Sequence, residues 1–382
     1  MFYLILPIGK YHGWGICGKY ITQEMSSMAD IKLITYNFSE KNADPLDYYF
    51  LKSKFVGFEE AEQFKNGKEL NLPVLQGIYG DMLPWEVKTR GKFKVGYTFF
   101  EDNILNEEYI KNARENFDIV VTGSSWCEEI LRNYGLNNVK TVIQGIDPQI
   151  FNSCNNEKKY FSDKFVIFSG GKFELRKGQD LVIKAFKILQ DKYKDVVLVN
   201  SWYNMWPNSL KTMKASPRIN FSIKSNDYIP MINQILTDNG VDLKRIVTLS
   251  PAPNTSMAQI YKNTDIGLFP NRCEGGTNLV LMEYMACGKP VIASYNSGHK
   301  DILTTQNSIM LKNMQPIKIN DGKADIAIWE TPNLDELISQ LEWAYQNRGK
   351  LKEIGNNAGN DLAQLTWRKT AEGFYEILKQ AV

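Results

Sequence analysis

Short apolar runs alternate with helix-length amphipathic segments along this chain, and after one polar interruption the alternation starts again. LILPI (4–8), IKLITY (31–36), LPVLQGIY (72–79), KVGYTF (94–99) and DIVVTG (118–123) have the length and β-branched content of buried strands. GWGICG (13–18) reads as a glycine-bearing turn leading into a helix over KYITQEMSSMA, and NEEYIKNARENF and SWCEEILRNYG read as later helices. KTVIQGIDPQIFN (140–152) supplies a last strand and a turn, and the aperiodic EKKYFSDK beyond it reads as a linker. The pattern then restarts with KFVIFSGG, a helix over QDLVIKAFKILQDKY, and the strands DVVLVNS, IVTLSP, DIGLFP and KPVIAS. Parallel strands need helical crossovers, so strands spaced by helices imply βαβ units. The expected fold is therefore α/β, with two doubly wound domains facing across a cleft. Ligands in such sheets lie beyond the carboxyl ends of the strands.

A length of 382 residues with 43% hydrophobic and 23% charged content suits two globular domains. Five scattered cysteines with no C-x-x-C spacing argue against a disulfide framework or a zinc site and for a reducing compartment. No apolar run reaches the roughly 18–20 residues of a membrane span, and the opening MFYLILPIG reads as a buried strand. The expected location is cytoplasmic, with peripheral contact at the inner membrane face left open. A net charge of +2 gives no reason to expect nucleic acid. The first 150 residues are net acidic and the remainder net basic, which places an anionic ligand more plausibly in the second half.

Two post-strand loops there carry the chemistry. In SGGKFELRKGQD (169–180), Lys172, Arg176 and Lys177 precede a helix, and lysines five apart across such a loop can converge on one diphosphate. The ordinary alternative is a solvated basic turn. In CEGGTNLVLMEYMACG (273–288), Gly275 and Gly276 lead to a helix whose N-cap is Thr277 or Asn278. The free amides of its first turn favour a phosphate or a sugar hydroxyl. Glu274 could accept hydroxyl hydrogen bonds from a sugar, and Glu283, inside the helix, could hold a vicinal diol such as a ribose. The structural alternative for Glu283 is a surface helix residue paired with Lys289 or another cation.

K-x4-K-G after a strand, followed by E-G-x-x-N-L-V-x-x-E-x-M-A-x-G-x-P-V-I-A, resembles the C-terminal half of family 4 retaining glycosyltransferases of the GT-B fold. DIVVTGSSWCEEILRNYG, VIQGIDPQIF, YKNTDIGLFPNRCEGG and TWRKTAEGFYEIL resemble further segments of that family, in its order. The resemblance implies two Rossmann-like domains, an acceptor domain over 1–155 and a donor domain over 156–363, with a C-terminal helix over 364–382 packing back on the first. It implies a metal-independent transfer, without a cofactor, of a sugar from a UDP- or GDP-sugar to a glycan, lipid-linked or small-molecule acceptor, with retained configuration. Lys172 and Lys177 match the diphosphate-neutralising pair, Glu274 the sugar contact and Glu283 the ribose contact. The amides of Gly275, Gly276, Thr277, Asn278 and Leu279 match the sugar and β-phosphate loop, and Gly13 and Gly15 a glycine turn facing the diphosphate.

The chain departs from that pattern in two places. Eight residues separate Glu274 from Glu283 where the family usually has seven, and no histidine matches the one the family often carries in its first domain. Glu101 stands at about that level and is the candidate replacement, with His12 a second; His299 reads as a loop residue. Tyr11, Trp14 and Trp85 are candidate ring-stacking residues for an acceptor. Base contacts are expected around 250–253. Two other readings remain: a sugar-nucleotide or glycan-binding GT-B protein without catalysis, and a nicotinamide enzyme. Gly13, Gly15 and Gly18 have the spacing G-x-G-x-x-G, yet the second apolar run ends at Tyr36-Asn37 without the acidic residue that reading needs.

Overall fold

A computed structural model describes residues 1–35, 38–56, 58–65, 69–85 and 89–381. Tyr36, the last residue of the expected IKLITY strand, lies outside them. The first half forms a six-stranded parallel sheet from β1 (Phe2–Ile5), β2 (Ile31–Ile34), β3 (Val74–Gly77), β4 (Lys94–Thr98), β5 (Ile119–Thr122) and β6 (Val139–Thr141), in the order β2-β1-β3-β4-β5-β6. The second half forms another from β7 (Phe165–Gly170), β8 (Val196–Ser201), β9 (Ile246–Thr248), β10 (Ile266–Phe269), β11 (Val291–Ser294) and β12 (Ile309–Leu311), ordered β9-β8-β7-β10-β11-β12. The strand order reverses beside β1 and beside β7, so crevices open at the carboxyl ends of those strands. β7 is buried at every position, as a strand covered by helices on both faces requires.

GWGICG is not a turn. It forms the start of helix α1 (Gly13–Met25), capped by His12, which is extended at φ −141° and ψ 148° and accepts the Gly15 amide at 3.1 Å on Nδ1. The glycines serve packing here: a Cβ on Gly18 would lie 1.9 Å from the Pro7 carbonyl oxygen, so only glycine lets α1 approach the loop after β1 so closely.

Helix α2 (Leu279–Ala286) follows β10, and helix α3 (Trp367–Leu378) ends the chain against the first sheet's layer. Trp367 stacks on Tyr20 of α1 at 5.3 Å, and Phe374 meets Tyr97 of β4 edge-on at 4.8 Å. A hairpin of Met314–Asn320 and Asp325–Pro332 was absent from the expectation. Its alternating isoleucines were a legible period-two signal. It crosses to the first half, where Ile104 N donates to Ile326 O at 3.0 Å and Asn103 exchanges hydrogen bonds with the Ile328 backbone. No helix among the described residues is long and apolar enough to cross a membrane.

Candidate active site

Post-strand loops of both sheets converge on one cleft of about 350 Å³, those after β1, β4 and β6 from the first and those after β7, β8, β9 and β10 from the second. Lys172, Arg176 and Lys177 reach it from the loop after β7, and Glu101 from the loop after β4. Glu274, Gly276, Asn278, Leu279 and Glu283 reach it from the loop after β10 and from α2.

Glu274 is the hub. Lys177 Nζ donates to its Oε1 at 2.6 Å, Arg176 Nη1 lies 3.0 Å from its Oε2, and Asn271 Nδ2 also donates to Oε1. Burial pushes its pKa up, but Lys177 and Arg176 outweigh that and hold the carboxyl at about 2. Burial works against the Lys177 ammonium, whose pKa is lowered. The close contact with so acidic a carboxylate keeps the pair ionised at neutral pH.

Arg176, passed over in the sequence except as a basic neighbour, meets three carboxylates. It bridges Glu174 (2.7 Å), Glu274 (3.0 Å) and Glu101 (3.2 Å), so it joins the two halves across the cleft. Trp329 of the hairpin donates from Nε1 to Glu101 O at 2.9 Å and fixes that loop. Lys172 stands apart from Lys177. Its Nζ is 3.5 Å from Glu174 and 5.6 Å from the Trp206 ring centroid, and its side chain is 34% exposed.

Glu283 sits 3% exposed in α2 and accepts Asn254 Nδ2 at 2.7 Å. Burial pushes its pKa up to about 8; Asn254, Lys19 and Tyr261 pull it back only in part. The surface pair with Lys289 does not form, because Lys289 donates to Asn156 O instead. Asn254 itself lines the cleft, and its Oδ1 is buried with no hydrogen-bond partner among the described residues.

The loop residues divide by side. Gly276, Asn278 and Leu279 line the cleft, whereas Gly275 packs on the other half: a Cβ there would meet the Phe100 backbone at 2.4 Å. Thr277 turns inward to Met282 Sδ. Asn278 is the N-cap, in the left-handed region at φ 64°, without a side-chain capping bond. Its Nδ2 lies 3.2 Å from His299 Nε2, and His299 Nδ1 lies 3.0 Å from Ser294 O. His299, expected as a loop residue, lies in the short 3-10 helix Ser297–Asp301 and is a buried brace for the loop. Burial lowers its pKa to about 4, so it is neutral, donating from Nδ1 and accepting on Nε2. Gly13 lines the cleft; Gly15 faces Gly9 instead. His12 and Trp14 line the cleft as well, and Tyr11 joins them at its rim.

Known proteins share this fold. The model for "Glycosyl transferases group 1" matches residues 163–322, the sheet that carries the basic loop and both glutamates. The structure of sucrose-phosphate synthase from Thermosynechococcus elongatus superposes with a TM-score of 0.69 at 13% identity, covering 99% of this chain and 98% of that one. Anabaena HepE in complex with UDP and glucose superposes with a TM-score of 0.67 at 14% identity, covering 99% of both. The fold is GT-B. Curated relatives of this GT-B chain include an uncharacterized glycosyltransferase of Methanocaldococcus jannaschii, 22% identical over 78% of this chain and 66% of the relative. D-inositol 3-phosphate glycosyltransferase of Paenarthrobacter aurescens is 22% identical over 69% of this chain and 57% of the relative. The matched region thus spans just under two thirds of the first of these relatives and less of the second.

Proposed function

We propose that this GT-B chain is a retaining glycosyltransferase that moves a sugar from a nucleotide-diphosphate sugar to an acceptor hydroxyl. The observation that carries the reading is the convergence of Glu274, Lys177 and Glu283 on one cleft between the two sheets. The nucleotide lies over the second sheet with its ribose diol on Glu283 and its diphosphate toward Lys177 and Lys172. The donor sugar then meets Glu274. The bond from the anomeric carbon to the β-phosphate oxygen breaks while the acceptor oxygen bonds to the same face. The acceptor's proton passes to the departing phosphate. Charge on that phosphate is met by the lysines and by the amides at the start of α2, so the reaction needs no divalent ion. Glu101, held by Arg176 and Trp329, orients the acceptor or the sugar from the first half, which serves as acceptor domain, residues 1–155, opposite the donor domain, 156–363.

The test is a thermal-shift screen with UDP-, GDP- and ADP-sugars, starting from UDP because HepE was solved with UDP and with UDP-glucose. A true donor at a hundred times its Kd stabilises the native state by about 2.7 kcal/mol. Stabilisation and transfer that persist in EDTA are the expected results. A protein indifferent to every sugar nucleotide would sink the reading.

Glu283 adds a pH signature. A diol that donates two hydrogen bonds binds the carboxylate, whereas the free protein holds a neutral carboxyl up to a pKa of about 8. Nucleotide affinity is therefore expected to rise between pH 6 and 8, with a proton released on binding, and to level off above that. Glu283→Gln should weaken nucleotide binding and flatten the slope; a slope unchanged in that variant refutes the assignment. For folding the sign is opposite. The pKa is raised above the ordinary carboxylate value, so this group's stabilisation is complete below the ordinary value and is lost as pH climbs to about 8.

A further inference from the structure

The hairpin of Met314–Asn320 and Asp325–Pro332 carries, along its returning strand, both the loop that holds Glu274 and the loop that holds Glu101. At the far end of that strand, Arg272 Nε donates to Thr331 Oγ1 at 3.1 Å and the Glu330 amide donates to Arg272 O at 3.2 Å. Asn296 Nδ2 reaches the carbonyls of both Arg272 and Glu330, at 3.1 and 3.3 Å. In its middle, Asn103 of the first half donates from Nδ2 to Ile328 O at 2.9 Å and accepts the Ile328 amide on Oδ1 at 2.7 Å. One side-chain amide thus does for Ile328 what a neighbouring strand does with its backbone. Ile104 N donates to Ile326 O at 3.0 Å, and Trp329 Nε1 to Glu101 O at 2.9 Å. Arg272 stands two residues before Glu274, and Asn103 two after Glu101.

The contact is packed as well as hydrogen-bonded. Ala327 and Trp329 turn inward and cluster with Cys273 from the loop after β10, and Trp126 of the first half packs on them with Ile317 and Ile319. Trp329 is 8% exposed. An extended strand rises about 3.3 Å per residue, so covalent geometry spaces the attachments at Ile328 and Thr331 about 10 Å apart. The strand therefore sets one loop against the other, and Glu101 comes to lie 3.2 Å from Arg176, itself 3.0 Å from Glu274. Neither Asn103 nor Trp329 lines the cleft.

We propose that Asn103 and Trp329 are positioning residues for the transfer, and that the returning strand is the gauge that sets Glu101 against Glu274 across the cleft. Their bonds hold the backbone around Glu101, and a misplacement of about 1 Å at a reacting centre can cost about 10²-fold in rate. A hairpin that only added stability would weaken every function of the cleft alike. A gauge is felt in turnover, and through Glu101. The inference rests on the glycosyl-transfer reading, in which Glu101 orients the acceptor or the sugar.

The test uses Asn103→Ala, which removes both bonds to Ile328, and Trp329→Phe, which keeps a ring in the cluster and removes the N–H. Turnover is read as UDP released from a UDP-sugar in the presence of methyl glycoside acceptors. Each variant is expected to lose about tenfold in kcat, the scale of one or two hydrogen bonds, with the UDP Kd within about twofold of native. In a Glu101→Gln background neither change should lower kcat further, because residues that act through one group are not additive. Without any ligand, hydrogen exchange at the Ile104 amide should accelerate in both variants while exchange across β4 stays native. Native kcat in both variants, equal losses with and without Glu101, or native exchange at Ile104 overturns the proposal. If no sugar nucleotide binds, the donor reading fails instead, and accelerated exchange at Ile104 still upholds the strand as the gauge of the Glu101 loop.

Discussion

Lys177→Ala is expected to lower turnover about 10²- to 10³-fold, the range found when one preorganised donor to a developing oxyanion is removed, equivalent to about 2.7–4 kcal/mol. The reasoning starts from burial. Lys177 is held 2.6 Å from Glu274 in a place where Arg176 already crowds it with like charge. An ammonium kept in such surroundings needs a strong anionic partner. Glu274 fills that role in the free protein, and a departing diphosphate fills it in the transition state. Glu274→Gln should act differently from the lysine variant. It removes the carboxylate that receives sugar hydroxyls and unbalances Arg176 and Lys177, so turnover should fall more than nucleotide affinity. Measuring kcat and the nucleotide Kd for both variants decides the matter. If Glu274→Gln loosens the nucleotide and spares turnover, the sugar and ribose ends have been reversed.

The second large effect is on stability. Asp180→Ala should destabilise the native state by about 3–5 kcal/mol, the range for breaking one side of a buried ion pair. Arg272 meets Asp180 with two parallel hydrogen bonds, of 2.8 and 2.7 Å, and the two side chains are 1% and 0% exposed. Ser216 Oγ adds a third bond to Asp180, and Arg272 also donates to Thr331 and to the Leu175 carbonyl. The Arg272 amide donates to Arg176 O at 2.7 Å. One bidentate pair thus clamps the loop after β10 to the loop after β7, and so sets Glu274 against Lys177. Denaturant unfolding measures the loss. The double variant Asp180→Leu/Arg272→Met should recover much of it, because two apolar groups leave no orphaned charge. A loss below 1 kcal/mol for Asp180→Ala would show that the clamp is not structural.

The parallel α/β architecture was readable because a strand's run of buried residues and a helix's amphipathic period are local signals. Each expected strand appears among the described residues, usually shortened at its ends, as IVTLSP contracts to Ile246–Thr248. GWGICG reads as a turn because glycines signal turns locally, whereas here Gly15 and Gly18 let the helix pack closely on Gly9 and on the Pro7 carbonyl. The hairpin was missed although its alternation was visible. Its partner, the Glu101 loop, lies more than 200 residues away.

The sequence by itself determined which residue types stand on which post-strand loop, and so which side chains could face the cleft. Lys172, Lys177, Glu274 and Glu283 were all found that way. Only the tertiary structure decided what each one meets. Arg176 became the bridge among three carboxylates because loops after β4, β7 and β10 converge on it. The two glutamates, nearly equivalent as letters, were driven to opposite ionisation: cations surround Glu274 and hold it near 2, whereas Glu283 is buried mainly with neutral donors and rises to about 8. Charge and desolvation act through space, between groups brought together by folding, and spacing along the chain does not encode them.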